Sequence, residues 1–480
     1  MNEKPSLFGG LKQRFRKKRP AVSILAAGER LRLSGQSLVL KPDPNGFVFE
    51  LGKQTIHLCP AHPESGNEDS TRSEWILFDP ELYFSGISHT LRLRPGESLS
   101  VDHREENQRL VFRHGKDTFR RHLQIRHGGD FLEFRDPISE LGTFVSLLEG
   151  GDSDRTYKSH RLRKLERLRE LLGPRIEPLG SEEALHLLQE VNRRVANDPY
   201  RQRDSLDNAG SLLELPVNLT PVIIGDLHGQ VNNLLQILIE NGFLESLENG
   251  EGALVFLGDA VHGEEPGQFE DMESSVLIMD LIFKLKRHFP GQVFFLLGNH
   301  DSFSADVMKG GVAQSLLWEK RIVELRGAEY ARQLGIFYRQ SPLFARSKNF
   351  LACHAGPPRN KVSRETLIEA RQLPELVHEL TWNRLKSRSW PTGYSKSDVR
   401  RLRKSLGAEE SMPFIVAHYP QAATGSVWLN AGEIPHHHII YSARPREAGV
   451  FTRVSGEMVA QVYSVQDLQL TINEAMDQAI

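Results

Sequence analysis

With 60 lysines and arginines set against 62 aspartates and glutamates over 480 residues, the chain has no strong charge to steer it to nucleic acid. Its 39% hydrophobic content is enough for ordinary cores, and its length predicts two or three domains. Two cysteines, Cys59 and Cys353, are too few for a disulfide framework, which fits a reducing cytosol and predicts a cytoplasmic location. No apolar run approaches membrane-spanning length. The basic N-terminus lacks the apolar core of a secretory signal.

In chain order, residues 1–20 carry the run Lys12-Gln13-Arg14-Phe15-Arg16-Lys17-Lys18-Arg19 and read as a solvated basic tail. Residues 21–150 read as a β-domain. Short alternating runs at Arg30–Ser34, Phe47–Leu51, Thr90–Arg94 and His122–Arg126 are separated by turn residues, as in a sandwich. Gly150 to Asp154 reads as a linker, and residues 151–214 as helical. Leu162, Leu165, Leu168, Leu171 and Leu172 recur at helical spacing, and a second helix is expected from Ser181 through Val195. The basic residues of this stretch are expected on a solvated face.

Residues 215–475 follow one grammar repeated five times. Val222–Ile224 is an apolar run closing on Gly225-Asp226-Leu227-His228-Gly229. Leu254–Leu257 ends in Gly258-Asp259, and Val293–Leu297 in Gly298-Asn299-His300-Asp301. Phe350–Cys353 ends in His354-Ala355-Gly356, and Phe414–Ala417 in His418. Each run reads as a buried strand that presents Asp, Asn or His at its C-terminal end, the edge where α/β sheets hold ligands. Helical patterns at Val231–Ile239 and Ser275–Phe289 between the runs predict βαβ units.

In this order the motifs GDLHG at 225–229, GDAVHGE at 258–264, GNHD at 298–301, HAG at 354–356 and His418 resemble the calcineurin-like metallophosphoesterases, most closely the phosphoprotein phosphatase branch. The resemblance implies two sheets flanked by helices, so that the whole chain is multidomain: an N-terminal all-β sandwich, a helical linker and a C-terminal α/β sandwich. It implies a dimetal phosphomonoester hydrolase that uses metal-bound hydroxide, with a phosphoprotein (Ser/Thr) or a phosphorylated small molecule as substrate. Asp226, His228 and Asp259 would hold the first metal. Asp259 would bridge to the second, completed by Asn299, His354 and His418. Carboxylate, imidazole and amide ligands suit manganese, the first choice here, or iron or zinc. His300 would be the general acid. Leu380-Thr381-Trp382-Asn383-Arg384 resembles the bacterial branch's Trp-x-Arg, so Arg384 is the phosphate-gripping candidate, ahead of Arg359 and Arg444. His418 is preferred over the run His436-His437-His438, whose consecutive side chains point to opposite faces of a strand.

One motif departs from the family. Where GDxVDRG supplies an Asp that orients the acid and an Arg that grips phosphate, this chain has His262 and Gly263. Contact of His262, Glu264 or Glu265 with His300 would favour turnover. Its absence, with no Arg facing the metals, would favour a metal-binding scaffold without activity. A nucleotide phosphatase, such as a diadenosine polyphosphate hydrolase, is the alternative enzyme.

The end of the β-domain resembles a forkhead-associated domain through Leu93–Glu97, Phe119-Arg120-Arg121-His122 and Asp136–Val145. Phe119 stands in place of the family's phosphate-contacting Ser, Glu140-Leu141 in the region of its Asn, and Val101–Arg104 where Gly-Arg is expected. A Phe and a Glu offer an anion no donor. The domain is therefore expected to contact a protein partner or to act structurally.

Overall fold

The computed structural model describes residues 21–52, 54–65, 71–101, 123–137, 142–149, 156–263, 272–309 and 311–477. The basic tail, Asp102–Arg104, Phe119–His122, Glu140-Leu141, the Gly150–Asp154 linker and Glu264-Glu265 lie outside the described residues. The chain divides into two units, residues 1–78 with 91–151, and residues 79–90 with 152–480.

Among the described residues the first unit shows ten strands: β1 (Arg30–Arg32), β2 (Leu38–Leu40), β3 (Phe47–Leu51), β4 (Gln54–Pro60), β5 (Trp75–Phe78), β6 (Thr90–Leu93), β7 (Ser98–Val101), β8 (Leu123–His127), β9 (Leu132–Arg135) and β10 (Thr143–Leu147). They form a six-stranded sheet, β1-β10-β3-β4-β5-β6, and a four-stranded sheet, β2-β9-β8-β7. Alternation sends Phe47, Phe49 and Leu51 to one face of β3, and that face packs with Ile125, Leu132 and Phe134 of the other sheet in a single apolar core. Phe134 meets Phe47 and Phe49 edge-on with ring centroids 5.2 Å apart in both pairs, contacts worth about 0.5–1.5 kcal/mol each beyond their buried area.

The second unit holds two further sheets. One contains β13 (Thr220–Ile224), β14 (Gly252–Phe256) and β15 (Val293–Phe295), mutually parallel, with β23 (Glu447–Val454) and β24 (Glu457–Ser464) antiparallel on the β13 side. The other runs β11-β12-β18-β19-β20-β22-β21, where β11 is Arg201–Arg203, β12 Ala209–Glu214, β18 Phe344–Arg346, β19 Leu351–Cys353, β20 Phe414–Val416, β21 Val427–Trp428 and β22 His437–Ile440. A small hairpin, β16 (Met308–Lys309) and β17 (Val312–Ala313), stands apart. The strands are apolar on both faces because both are covered. Ile223, Val255 and Phe294 meet Ala345, Ala352 and Ile415 between the sheets. Val222, Ile224, Leu254 and Phe256 face helices on the outside.

Those helices include α1 (Tyr157–Leu172), α2 (Ser181–Ala196), α3 (Val231–Ile239) and α4 (Glu273–His288). The Thr156 hydroxyl caps α1 by accepting the Ser159 N–H. Glu182 and Glu183 open α2 and Arg193 and Arg194 close it, matching its dipole. Here the structure differs from the linker expectation. Leu165, Leu168, Leu171 and Leu172 of α1 and Leu187, Leu188, Val191 and Val195 of α2 lie in the same core as α3 and α4, and β11 and β12 belong to a sheet of this unit. A stripe of that many leucines and valines cannot stay in water when an apolar sheet face is available. Leu162, expected in the stripe, is 40% exposed. The solvated basic face is also corrected in part. Arg161 is buried and donates to Glu240 at 2.9 Å, and buried Lys164 donates to the Asn241 carbonyl.

Candidate metal centre

The five strands β13, β14, β15, β19 and β20 deliver their terminal residues to one place. Asp226, His228, Asp259, Asn299, His354 and His418 come together there, all in or just past the C-terminal ends of parallel neighbours or of the facing sheet. His228, Asp259, His262 and His418 have left-handed backbones, with φ of 43°, 50°, 68° and 65°. Such conformations cost about 1–3 kcal/mol each for non-glycine residues and persist only where the surroundings impose them. Gly258 and Gly298 allow the loops after β14 and β15 to touch: a Cβ on Gly298 would lie 2.1 Å from Asp259 Oδ1.

Among the described residues two groups of ligand atoms each fall within 4.8 Å of one another: His228, Asp259 and His300, and Asp259, His354 and His418. Asp259 is common to both. The first group contains His300 where sequence reasoning put Asp226, whose Oδ2 lies 3.9 Å from His228 Nε2. Asn299 Oδ1 lies 3.0 Å from His354 Nε2.

The donor set fits cations on several counts. Asp226 is fully buried, and its Oδ2 has no hydrogen-bond partner among the described residues, a costly state that a bound cation would relieve. His228 and His354 each engage one ring nitrogen with a backbone carbonyl, Nδ1 to Val261 at 3.0 Å and to Leu257 at 2.8 Å. That leaves Nε2 as the nitrogen each ring can turn to a ligand, once a bound cation displaces any proton there. Burial pushes the Asp226 carboxyl up to about 7. Burial would lower His354, but the Asp259 carboxylate 3.3 Å away overrides it and raises the ring to about 9. The pocket is thus short of positive charge.

Around this centre His300 donates its backbone N–H to Asp259 Oδ1 at 2.8 Å, and its Nδ1 lies 2.7 Å from His262 Nδ1. Asp301 ties the loops together by accepting the N–H groups of Asp259 and Gly298, each at 2.8 Å. Arg384 Nε approaches His418 Nε2 at 3.3 Å. Among the described residues no carboxylate pairs with Arg384. Arg359 instead neighbours Glu379 at 4.0 Å, and Arg444 gives its donors to the Ala422 and Gly425 carbonyls. In the rival histidine run, His437 is buried in β22 against Tyr394 Oη and the Phe414 carbonyl, and His438 stacks on Phe451.

Sequence reasoning missed Trp390 and Tyr419, whose rings lie over Arg384, and the roles of Asp301 and Ser442. The Ser442 hydroxyl accepts the Gly225 N–H at 3.1 Å and donates to the Gly449 carbonyl. Tyr419 follows His418 directly, which is a signal of place but not of function.

The donors gathered here are of the kind a metal-dependent phosphoesterase uses. Residues 219–432 match the calcineurin-like phosphoesterase family. The chain is 24% identical over 245 residues to the mouse protein "Serine/threonine-protein phosphatase with EF-hands 2", a match covering 50% of this chain and 28% of that relative's length. Among solved structures it resembles a protein serine/threonine phosphatase from Saccharomyces cerevisiae with similarity to human phosphatase PP5. That likeness has 14% identity and a TM-score of 0.46, and covers 60% of this chain and 91% of that one. A cold-active protein-tyrosine phosphatase of a psychrophilic Shewanella has 16% identity and a TM-score of 0.37, over 53% and 82% of the two chains. No helix among the described residues is long and apolar enough to cross a membrane.

Proposed function

We propose that this chain hydrolyses phosphomonoesters with two divalent cations, and that its substrates are Ser/Thr phosphoproteins. The observation that carries the reading is the sharing of Asp259 between two ligand groups beside an arginine that has no carboxylate partner among the described residues. Asp226, His228 and Asp259 would hold one cation, and Asp259, Asn299, His354 and His418 would hold the other, with manganese the first choice and iron or zinc the alternatives. When bound, such a pair acidifies a water and neutralises charge on the phosphoryl oxygens. Arg384 offers the phosphoryl group a guanidinium fork. His300 gives its Nε2 proton to the leaving oxygen as the P–O bond breaks, while its Nδ1 faces His262. The contact between His262 and His300 favours turnover over the scaffold reading, since it supplies an orienting partner where the family's Asp is missing. The Ser/Thr preference rests on the mouse relative alone.

The two-sheet first unit is proposed as a forkhead-associated-like module with a protein-contact or structural role. The test of the activity is hydrolysis of p-nitrophenyl phosphate by the full chain with added Mn²⁺, beside an Asp259→Asn control. Metal-dependent turnover lost in the control supports the reading. Equal turnover with and without metal, or in the control, sinks it. Release of phosphate from phosphoserine and phosphothreonine peptides, compared with a nucleotide, then decides the substrate class.

A further inference from the structure

Arg384 is held from an unusual direction. Its Cζ lies 4.2 Å from the centroid of the Trp390 ring and 4.6 Å from that of Tyr419. Both rings remain 39% exposed, so neither is a core residue that merely happens to be near. The backbone is shaped to bring Trp390 back onto Arg384. The Arg384 carbonyl accepts the Tyr394 N–H and the Lys386 N–H reaches the Tyr394 carbonyl, each at 2.8 Å, while Ser387 and Trp390 exchange backbone hydrogen bonds at 3.1 and 3.2 Å. Gly393 permits this closure, since a Cβ there would stand 2.3 Å from the Arg384 carbonyl oxygen. Tyr419 comes from the other side of the chain, immediately after the left-handed His418.

The one polar restraint on the guanidinium among the described residues is the contact of Nε with His418 Nε2, at 3.3 Å. That contact needs a lone pair on Nε2. A neutral imidazole that gives one nitrogen to a cation keeps its proton on the other. With His418 so engaged, no lone pair is left for Arg384, whichever nitrogen binds. The hydrogen bond lapses, whereas attraction between the cation and the two aromatic faces does not depend on the state of His418.

We infer that Trp390 and Tyr419 are positioning residues that hold the Arg384 guanidinium at the mouth of the metal centre, presenting its N–H groups to the phosphoryl oxygens. This rests on the reading of Arg384 as the phosphate-binding arginine. An unrestrained arginine would have to give up its rotamer freedom at each binding event. A guanidinium already stacked keeps its plane and offers two donors to an anion along its edge.

The test is calorimetric binding of inorganic phosphate to the Mn²⁺-loaded full chain, with kcat and KM for p-nitrophenyl phosphate measured beside it. Trp390→Ala and Tyr419→Ala are each expected to weaken phosphate binding by about 3- to 30-fold, the range expected of one cation–π contact. Trp390→Phe and Tyr419→Phe, which keep a ring, should restore most of it. In an Arg384→Ala background the alanine variants should have no further effect, which a merely structural role for the rings would not predict. A second readout avoids the metal: in the metal-free protein labelled with ¹⁵Nε-arginine, the ring-shifted Arg384 Hε signal should move in Trp390→Ala. If Arg384→Ala leaves phosphate affinity intact, the phosphate-binding reading of Arg384 falls and takes this inference with it. If Arg384→Ala weakens binding while the ring variants do not, or if they cost as much without Arg384 as with it, only the positioning role is overturned.

Discussion

His262 Nδ1 and His300 Nδ1 lie 2.7 Å apart, so one ring donates the shared proton and the other accepts it. For His300 to act as an acid at Nε2 it must be the donor at Nδ1, and His262 must then be the tautomer protonated at Nε2. His262 is itself held, through its backbone N–H, by the Ser275 hydroxyl at 2.9 Å. A neutral imidazole thus takes the orienting place that the family gives to a carboxylate.

His262→Ala is therefore expected to lower kcat by about 10- to 100-fold, the usual effect of removing a group that orients an active-site side chain, with metal content unchanged. His262→Asp should recover activity. Steady-state kinetics with elemental analysis check this; an alanine variant as fast as the parent would show that His300 needs no partner.

Cations should stabilise the fold. Buried Asp226, Asp259 and His354 face one another within 3.7 Å in two pairs, and a ligand that binds only the folded state stabilises by about 2.7 kcal/mol at a hundred times its Kd. Mn²⁺ should raise the melting temperature of the parent and not of Asp259→Asn, and a chelator should reverse the shift. Equal shifts in both proteins would place the bound metal elsewhere.

Arg161 and Glu240 form a fully buried pair at 2.9 Å, joined by the amide of Gln236. Arg161→Ala removes the guanidinium that donates to the buried Glu240 carboxylate and should cost about 3–5 kcal/mol. Denaturant unfolding measures it. A loss under about 1 kcal/mol, the level of a surface pair, would mean that Glu240 is satisfied without Arg161.

Acid should weaken the second unit through Glu245. Burial acts to raise this carboxyl, but the hydrogen bond with His160 at 3.0 Å and the charge of Lys164 at 3.3 Å outweigh it and bring the group from 4.5 to about 2. A depressed folded-state value means stability that is complete above the unfolded value and is lost as pH falls from about 4.5 toward 2. Glu245→Gln should show a shallower decline of unfolding free energy across that window; an unchanged slope would assign acid sensitivity to other groups.

The candidate ligands were legible because metal-binding chemistry is a property of residue type, and the buried parallel strands announce themselves as short apolar runs ending in glycine. Asp226, His228, Asp259, Asn299, His354 and His418 all stand where strand ends meet. The helices from Tyr157 to Ala196 were legible as helices, but their place was not. The same leucine spacing suits a linker helix and one packed on a sheet, and only the apolar outer face of the β13–β14–β15 sheet decides between them. For the same reason Arg161 and Lys164 read as solvated: a basic residue is buried only where the fold supplies Glu240 or a backbone carbonyl to receive it.

What the sequence determined by itself is therefore the chemistry available: six candidate ligands in order, a histidine at 300 proposed as the acid and an arginine after the His-Ala-Gly motif. What only the tertiary structure decided is which atoms meet. His262 reaches His300 across 38 positions and Arg384 reaches His418 across 34. Contacts of that range arise from the register of strands and the turn of left-handed loops, which local residue preferences do not encode.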